Sequence, residues 1–441
     1  LKADRRHHDW YGSRTGKRSG GMRAGRDVQG ENVELGEIEN RLVAALSELE
    51  TIDCHEHLGP EKQRLESSVD VFTLFSHYTH GDLVVSGMKE TDYQSLFNTS
   101  LPLDHRWKLF KPYWEQIRWG SYARAALLAA EKFYGFDDIN DKTYQPLSEA
   151  IQKANKPGIY QRVLRDACAI RTALTQCGST HLDSPLLTPV MPMVYELESW
   201  EVVAHPAFEP EAAVRSLDDY LDAVRRYVVR VKSEGAVGLK MVSNPYGEPD
   251  RKQAASIFEK LRNGTVQSLP IPNALRDFVV DQTISFATQE GMVIAVHTGY
   301  WGDFRTLDPL HMIPLLQRHC ETRFDIYHVG YPWMREALML GKGFPNVWLN
   351  FCWTHIISQR FATTALDEAI DLIPMNKILA FGGDYGLPVE KVYGHLVMAR
   401  EDIARVLARR IRVGQFDEEQ AVTLAHKWFW DNPKELYALK L

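Results

Sequence analysis

The stretch Thr51-Ile52-Asp53-Cys54-His55-Glu56-His57 is a short run of strand formers that ends in two imidazoles two residues apart. Side chains alternate between the faces of a strand, so His55 and His57 point the same way and can grip one cation, while Glu56 faces the other way. Alone, such a triplet is more often a pair of surface or core histidines than a metal site. Its place directly after an apolar run gives it weight.

Four more apolar runs stop in the same manner. Ala236–Leu239 stops at Lys240, Met292–Val296 at His297, Phe324–Tyr327 at His328, and Ile378–Phe381 reaches Asp384 after two glycines. Each reads as a buried parallel strand ending at a polar residue. In an eight-stranded barrel the strand C-termini converge on one face, so residues hundreds of positions apart become neighbours. The fold class expected is therefore α/β, a (β/α)8 TIM barrel. The other strands fall at Ala169–Thr175, Leu187–Tyr195 and Val347–Phe351, with strand 4 reaching Val242 and strand 8 reaching Gly382. Helices are expected over Glu34–Glu50, Glu211–Glu234, 273–289, 309–319, Val389–Ile411 and Glu418–Trp430.

Residues from about 60 to 165 interrupt this alternation. They are rich in aromatics and helix formers and read as a large helical insertion after strand 1, inside a barrel domain spanning 34–441. The insertion is expected to roof the mouth, with Trp114 and Trp119 in a lid or wall; a separate helical core is the alternative. Residues 1–33, including the Arg, Gly and Ser-rich run from Tyr11 to Arg26, read as a flexible basic tail. The first methionine is Met22, which leaves open whether the residues before it belong to the native protein.

With 441 residues the chain can bury a sizeable core. Its 51 basic and 58 acidic side chains give a net charge of −7, which offers no general attraction for nucleic acid. No apolar stretch approaches the roughly 20 residues that span a bilayer, so a soluble protein with no membrane partner is expected. Five cysteines, with Cys54, Cys168 and Cys352 in apolar segments, suit a reducing, cytoplasmic location. The partner expected is a small-molecule substrate; a homo-oligomer is left open.

The strand ends together point to a metal site. Neutral imidazoles plus a carboxylate suit a divalent cation, zinc first, with manganese or iron as alternatives. Lys240 is ambiguous, because an ammonium cannot ligate a cation whereas a lysine carboxylated by carbon dioxide can bridge two; otherwise it pairs with a carboxylate or holds a substrate anion. Arg305, Trp301 and Trp353, with Trp333, are candidates to seat a carboxylated or ring-containing substrate, and packing is the competing explanation for the tryptophans.

These stretches resemble the amidohydrolase superfamily. "IDCHEHLGP", "GLKMV", "VIAVHTG", "YHVGYP" and "FGGDYG" look like its strand 1, 4, 5, 6 and 8 signatures, "DNPKELYAL" looks like its C-terminal helix, and the match covers most of residues 51–441. The resemblance implies that His55, His57, His297 and Asp384 bind metal, that His328 binds a second metal or the substrate, and that Asp384 also shuttles protons. His55 and His57 with Lys240 resemble the two-metal, phosphotriesterase-type members. The insertion, with "SHYTHGDLVVSGM", is similar to that of uronate isomerases, although those carry a Thr-Asp-Ser-Arg type sequence at strand 8 where this chain has Gly383-Asp384-Tyr385.

The activity expected is metal-dependent hydrolysis, with activated water attacking a C–N or C–O bond of a small carboxylated or cyclic substrate. Asp384 would serve as general base and acid, and His328 would stabilise developing negative charge. The runner-up is a uronate isomerase-like aldose–ketose isomerase or a non-oxidative decarboxylase. A metal-stabilised binding protein without turnover is the alternative of another class.

Overall fold

In a computed structural model, residues 28–194 and 197–441 are described. Eight strands follow one another in sequence order, each parallel to the next. They are β1 (Thr51–Glu56), β2 (Ile170–Thr175), β3 (Leu187–Pro192), β4 (Gly238–Val242), β5 (Val293–His297), β6 (Phe324–Tyr327), β7 (Val347–Asn350) and β8 (Ile378–Leu379).

Cys54 N donates to Phe381 O at 2.9 Å, and Asp384 N to His55 O at 2.8 Å, so the chain beyond β8 bonds to β1 and closes a TIM barrel. Side chains pointing inward fill it. Ile52, Cys54, Leu174, Val190, Val293, Ala295, Tyr327, Cys352 and Leu379 form an interior cluster with Leu436 and Tyr437 from the C-terminal helix. A larger cluster packs between the strands and the surrounding helices.

Several boundaries differ from the sequence reading. The β8 ladder is two residues long, because Ala380 N donates to Trp428 O at 3.1 Å and not to β7, after which Phe381 O accepts from β1 and Gly382 O from Trp353 N. The helix expected from Glu211 begins at Leu217, where Ser216 and Asp219 form a capping box that satisfies the first free N–H groups. The segment 309–319 breaks into a 3-10 turn and a short helix, with Pro309 and Pro314 at their starts. The first helix runs from Val28 to Ser47, so the expected tail boundary at residue 33 lies inside it; residues 1–27 and Tyr195 lie outside the described residues. Between β2 and β3 the chain returns through residues 176–186 without a helix.

The insertion is helical and carries its own core. Phe72, Phe75, Trp107, Phe110 and Trp114 pack there, with Trp114 donating its indole N–H to Ile139 O at 2.8 Å. Trp114 is thus part of a separate helical core, the alternative reading, and Trp119 is 86% exposed. Neither is placed against the strand-end cluster. A buried anchor ties the insertion to the barrel: Arg64 and the Tyr134 hydroxyl both donate to Glu390 Oε1, at 2.8 and 2.6 Å. Glu390 begins the long helix Glu390–Arg412 that follows the seam.

These placements set a contrast. Trp114→Ala is expected to cost about 3–5 kcal/mol because the cavity it leaves lies in a closed core, whereas Trp119→Ala should stay within about 0.5 kcal/mol of wild type. Urea midpoints of the two variants measure the difference.

Candidate metal centre

Five elements build the centre: the end of β1, the turn after β8, and the ends of β4, β5 and β6. β1 delivers His55 and His57 at its mouth, and Asp384 follows Gly382-Gly383 with φ of 63°. That left-handed backbone is unfavourable for an aspartate and persists because its surroundings fix it. Asp53 Oδ1 accepts from both His55 N and Gly383 N at 3.2 Å, and Glu56 Oε2 accepts from Tyr385 N at 2.6 Å. Glu56 therefore faces away from the two histidines and holds the turn that carries Asp384. Gly383 is required here, since a Cβ would run into Glu56 Oε1.

The two imidazoles converge on one oxygen. His55 Nε2 lies 3.1 Å and His57 Nε2 3.2 Å from Asp384 Oδ1. These three residues form a group whose ligand atoms all lie within 4.8 Å of one another, a spacing that could hold a metal ion.

Protonation decides what the convergence means. His57 Nδ1 sits 3.0 Å from Gln176 O, and a carbonyl can only accept, so Nδ1 is assigned a proton and Nε2 is the atom turned to the carboxylate. Burial, reinforced by the charge of Lys240, lowers His55 to about 3, which keeps that ring neutral. Burial alone would raise Asp384, but His55 and His57 outweigh it and hold the carboxyl well below its ordinary range. Two ring nitrogens and a carboxylate oxygen thus meet at one place.

The other strand ends complete the wall. Lys240 Nζ lies 3.2 Å from His55 Nε2 and 4.0 Å from the centre of the Tyr327 ring, and burial lowers its pKa to about 8. His328 Nδ1 faces Cys352 O at 3.0 Å, so its Nε2 is read as accepting from His297 Nδ1, also 3.0 Å away. His297 Nε2 is then a buried lone pair with no hydrogen-bond partner. His328 Nε2 lies 3.9 Å from Asp384 Oδ2.

Among the candidate substrate residues, Trp353 is buried with its ring 5.1 Å from that of His328, and Trp301 is exposed at the rim, 6.4 Å from Tyr78. Arg305 is not turned to the centre. Its side chain is solvent-exposed and grips Asp303 through two nitrogens at 2.8 and 2.7 Å.

Sequence reasoning gave no role to two residues of the insertion. His77 approaches His57 with ring centroids 6.1 Å apart, and Tyr78 stacks on Trp353 at 4.5 Å. Burial first, then the charge of Asp384, push the Tyr78 phenol well above its ordinary value. The only sequence signal for them was the His77-Tyr78 stretch itself, because no strand pattern leads to it. A separate cavity of about 570 Å³ lies outside the barrel wall, between Met191 and Met193 of the β3 region and the helix carrying Tyr227 and Arg230. It holds none of the convergent groups.

Comparison with known proteins agrees with this architecture. The amidohydrolase family model matches residues 199–439, more than half of the chain, and the chain belongs to that family. It is similar to the uronate isomerase of Thermotoga maritima, with a TM-score of 0.73 and 17% identity over 91% of this chain and 97% of that one. The glucuronate isomerase of Caulobacter crescentus gives 0.74 and 17% over 92% and 95%. A Lactobacillus casei protein described as a metal-dependent hydrolase gives 0.62 and 19% over 90% and 97%. In sequence, Protein fluG of Emericella nidulans is 26% identical over 174 residues, 37% of this chain and 20% of the length of that relative.

The role of Gly383 is open to a direct check. Gly383→Ala should cost about 1–3 kcal/mol by forcing Glu56 or the Asp384 turn to shift. Gly386→Ala, whose Cβ would meet nothing closer than His57 O at 3.9 Å, should stay within about 0.5 kcal/mol. Equal denaturation midpoints for the two would refute the packing role.

Proposed function

We propose that the protein is a metal-dependent hydrolase in which His55, His57 and Asp384 hold a divalent cation, zinc in the first instance. The observation that carries this reading is the convergence of His55 Nε2 and His57 Nε2 on Asp384 Oδ1, with His57 Nδ1 turned to the Gln176 carbonyl so that Nε2 is the ring atom left for a cation. Second-sphere acceptors fix ligand histidines in this way. The donor set, two ring nitrogens and one carboxylate, suits zinc and leaves room for water or substrate.

A divalent cation in such a site lowers the pKa of bound water from about 15.7 towards 7. The chain's own residues do the rest. Asp384 would accept a proton and return it to a leaving group, a role that contributes roughly 100- to 10,000-fold. His297 presents an unpaired Nε2 at the mouth, and His328 orients that ring through the 3.0 Å contact with its Nδ1. The substrate is read as a small cyclic or carboxylated molecule cleaved at a C–N or C–O bond. The five free thiols fit a reducing, cytoplasmic setting, and no helix among the described residues is long and apolar enough to cross a membrane.

A sugar-acid isomerase is the second reading. It is favoured by the two isomerases whose fold this chain resembles over nine tenths of its length, and by the placement of His77 and Tyr78 beside the centre. Mass spectrometry of substrate and product separates the two, because hydrolysis adds water and isomerisation conserves mass.

Elemental analysis tests the ligands. Wild type is expected to carry about one zinc per chain, and the His55→Ala/His57→Ala variant almost none, since three ligands would fall to one. Undiminished metal in the folded double variant would refute the assignment.

Lys240 decides between one and two cations, because only a carboxylated lysine supplies the anion that bridges ions about 3.5–4 Å apart. We read the centre as holding one metal ion, with Lys240, whose Nζ lies 3.2 Å from His55 Nε2, as a structural or substrate-binding cation. Metal stoichiometry in bicarbonate buffer should stay at one in both wild type and Lys240→Ala; two ions in wild type, falling in the variant, would reverse this conclusion.

A further inference from the structure

The loop after β5 carries three large aromatics in solvent, Tyr300 and Phe304 in ring contact with each other and Trp301 against Tyr78. Tyr300 is 45% exposed, Trp301 56% and Phe304 40%, although each could bury its ring at a gain of roughly 1.5–3 kcal/mol. They continue inward as a track of rings. His328 meets Trp353 at 5.1 Å, Trp353 meets Tyr300 at 6.2 Å, Tyr300 meets Phe304 at 6.2 Å, and Phe304 meets the half-buried Trp333 at 5.6 Å. All these spacings lie in the range where aromatic pairs attract.

The loop that bears them is fixed in place. Gly299 takes φ of 86° and packs so closely that a Cβ would strike Tyr331 O, and its N–H donates to Leu307 O at 2.8 Å. Tyr300 N donates to Tyr331 O, and Asp303 accepts from Arg305 N at 3.3 Å. The loop's exposed charges, Asp303 and Arg305, hold each other, so they face solvent as a neutral pair beside the rings. The ring surface is held before any ligand arrives.

We infer that Tyr300, Trp301 and Phe304 form a shelf for a planar, uncharged ring of the substrate, just outside the metal centre. This rests on reading the barrel mouth as a substrate site, and it narrows the substrate to a molecule with an aryl or fused-ring substituent beyond the reacting bond. A planar ring gains offset and edge contacts on these faces over its whole surface, whereas a charged, hydroxylated sugar acid can lay only its C–H face on them and gains less.

The test uses the full chain with its metal, and the same preparation stripped by a chelator. Titration calorimetry with 1-naphthol, a neutral ring probe, should show binding that weakens at least tenfold in Trp301→Ala/Phe304→Ala, a loss of about 1.4 kcal/mol. D-glucuronate should bind wild type and variant equally. The naphthol difference should survive metal removal, so it stands even where the metal-centre reading fails. Far-ultraviolet circular dichroism of the variant verifies its fold, which is expected to be unchanged because both rings are substantially exposed. Absence of 1-naphthol binding to wild type, or equal affinity in the folded variant, overturns the shelf. So does a change in sedimentation of the variant without a change in naphthol affinity, which would make the patch a contact between copies of the chain.

Discussion

The seam between β1 and the chain beyond β8 is the constraint on which the rest depends. A barrel has no free edge only if its first and last strands meet, and here the meeting is made by Cys54 N to Phe381 O and Asp384 N to His55 O. Asp53 and Glu56 add carboxylate bonds to the backbone N–H groups of Gly383 and Tyr385. Because His55, His57 and Asp384 lie on the two sides of this seam, closing the barrel and assembling the centre are one event. Geometry that in another protein would need a separate scaffold is supplied by the closure itself.

Part of the unfavourable backbone collects at the same place. Asp384, His328, Val329, Trp353 and His77 take positive φ around the mouth, while Ala169 and Ala438 do so away from it. Each such residue costs on the order of 1–3 kcal/mol unless its neighbours enforce it. Elsewhere the fold is regular enough to offset this, with buried parallel strands and capped helices. The cost falls where side chains must be aimed across the strand direction, which ordinary strand or helix geometry does not allow.

Much of this was legible in the sequence, and the reason is periodicity. Buried parallel strands are short apolar runs, so the polar residues that end them stood out: His55, Lys240, His297, His328 and Asp384 were found from that contrast. What depended on non-local hydrogen bonding was not legible. The Nδ1 proton of His57 is set by the carbonyl of Gln176, the left-handed Asp384 by Glu56 and Gly383, and neither pairing leaves a trace in local pattern. Arg305 looked available because its partner Asp303 forms an ion pair only through the turn they share. Trp114 and Trp119 were indistinguishable as members of an aromatic-rich segment; packing put one in a closed core and the other in solvent.

The insertion's separate core has a consequence for how the chain comes to be. β1 is synthesised before the rest of the barrel, yet its closing partners near Phe381 emerge more than three hundred residues later. Until then one edge of that apolar strand has no mate, the circumstance in which nascent chains aggregate. The segment directly behind it folds from local contacts around Phe72, Phe110 and Trp114, and contacts close in sequence form fastest. A module with its own core therefore gives the growing polypeptide a compact body next to the strand that must wait longest.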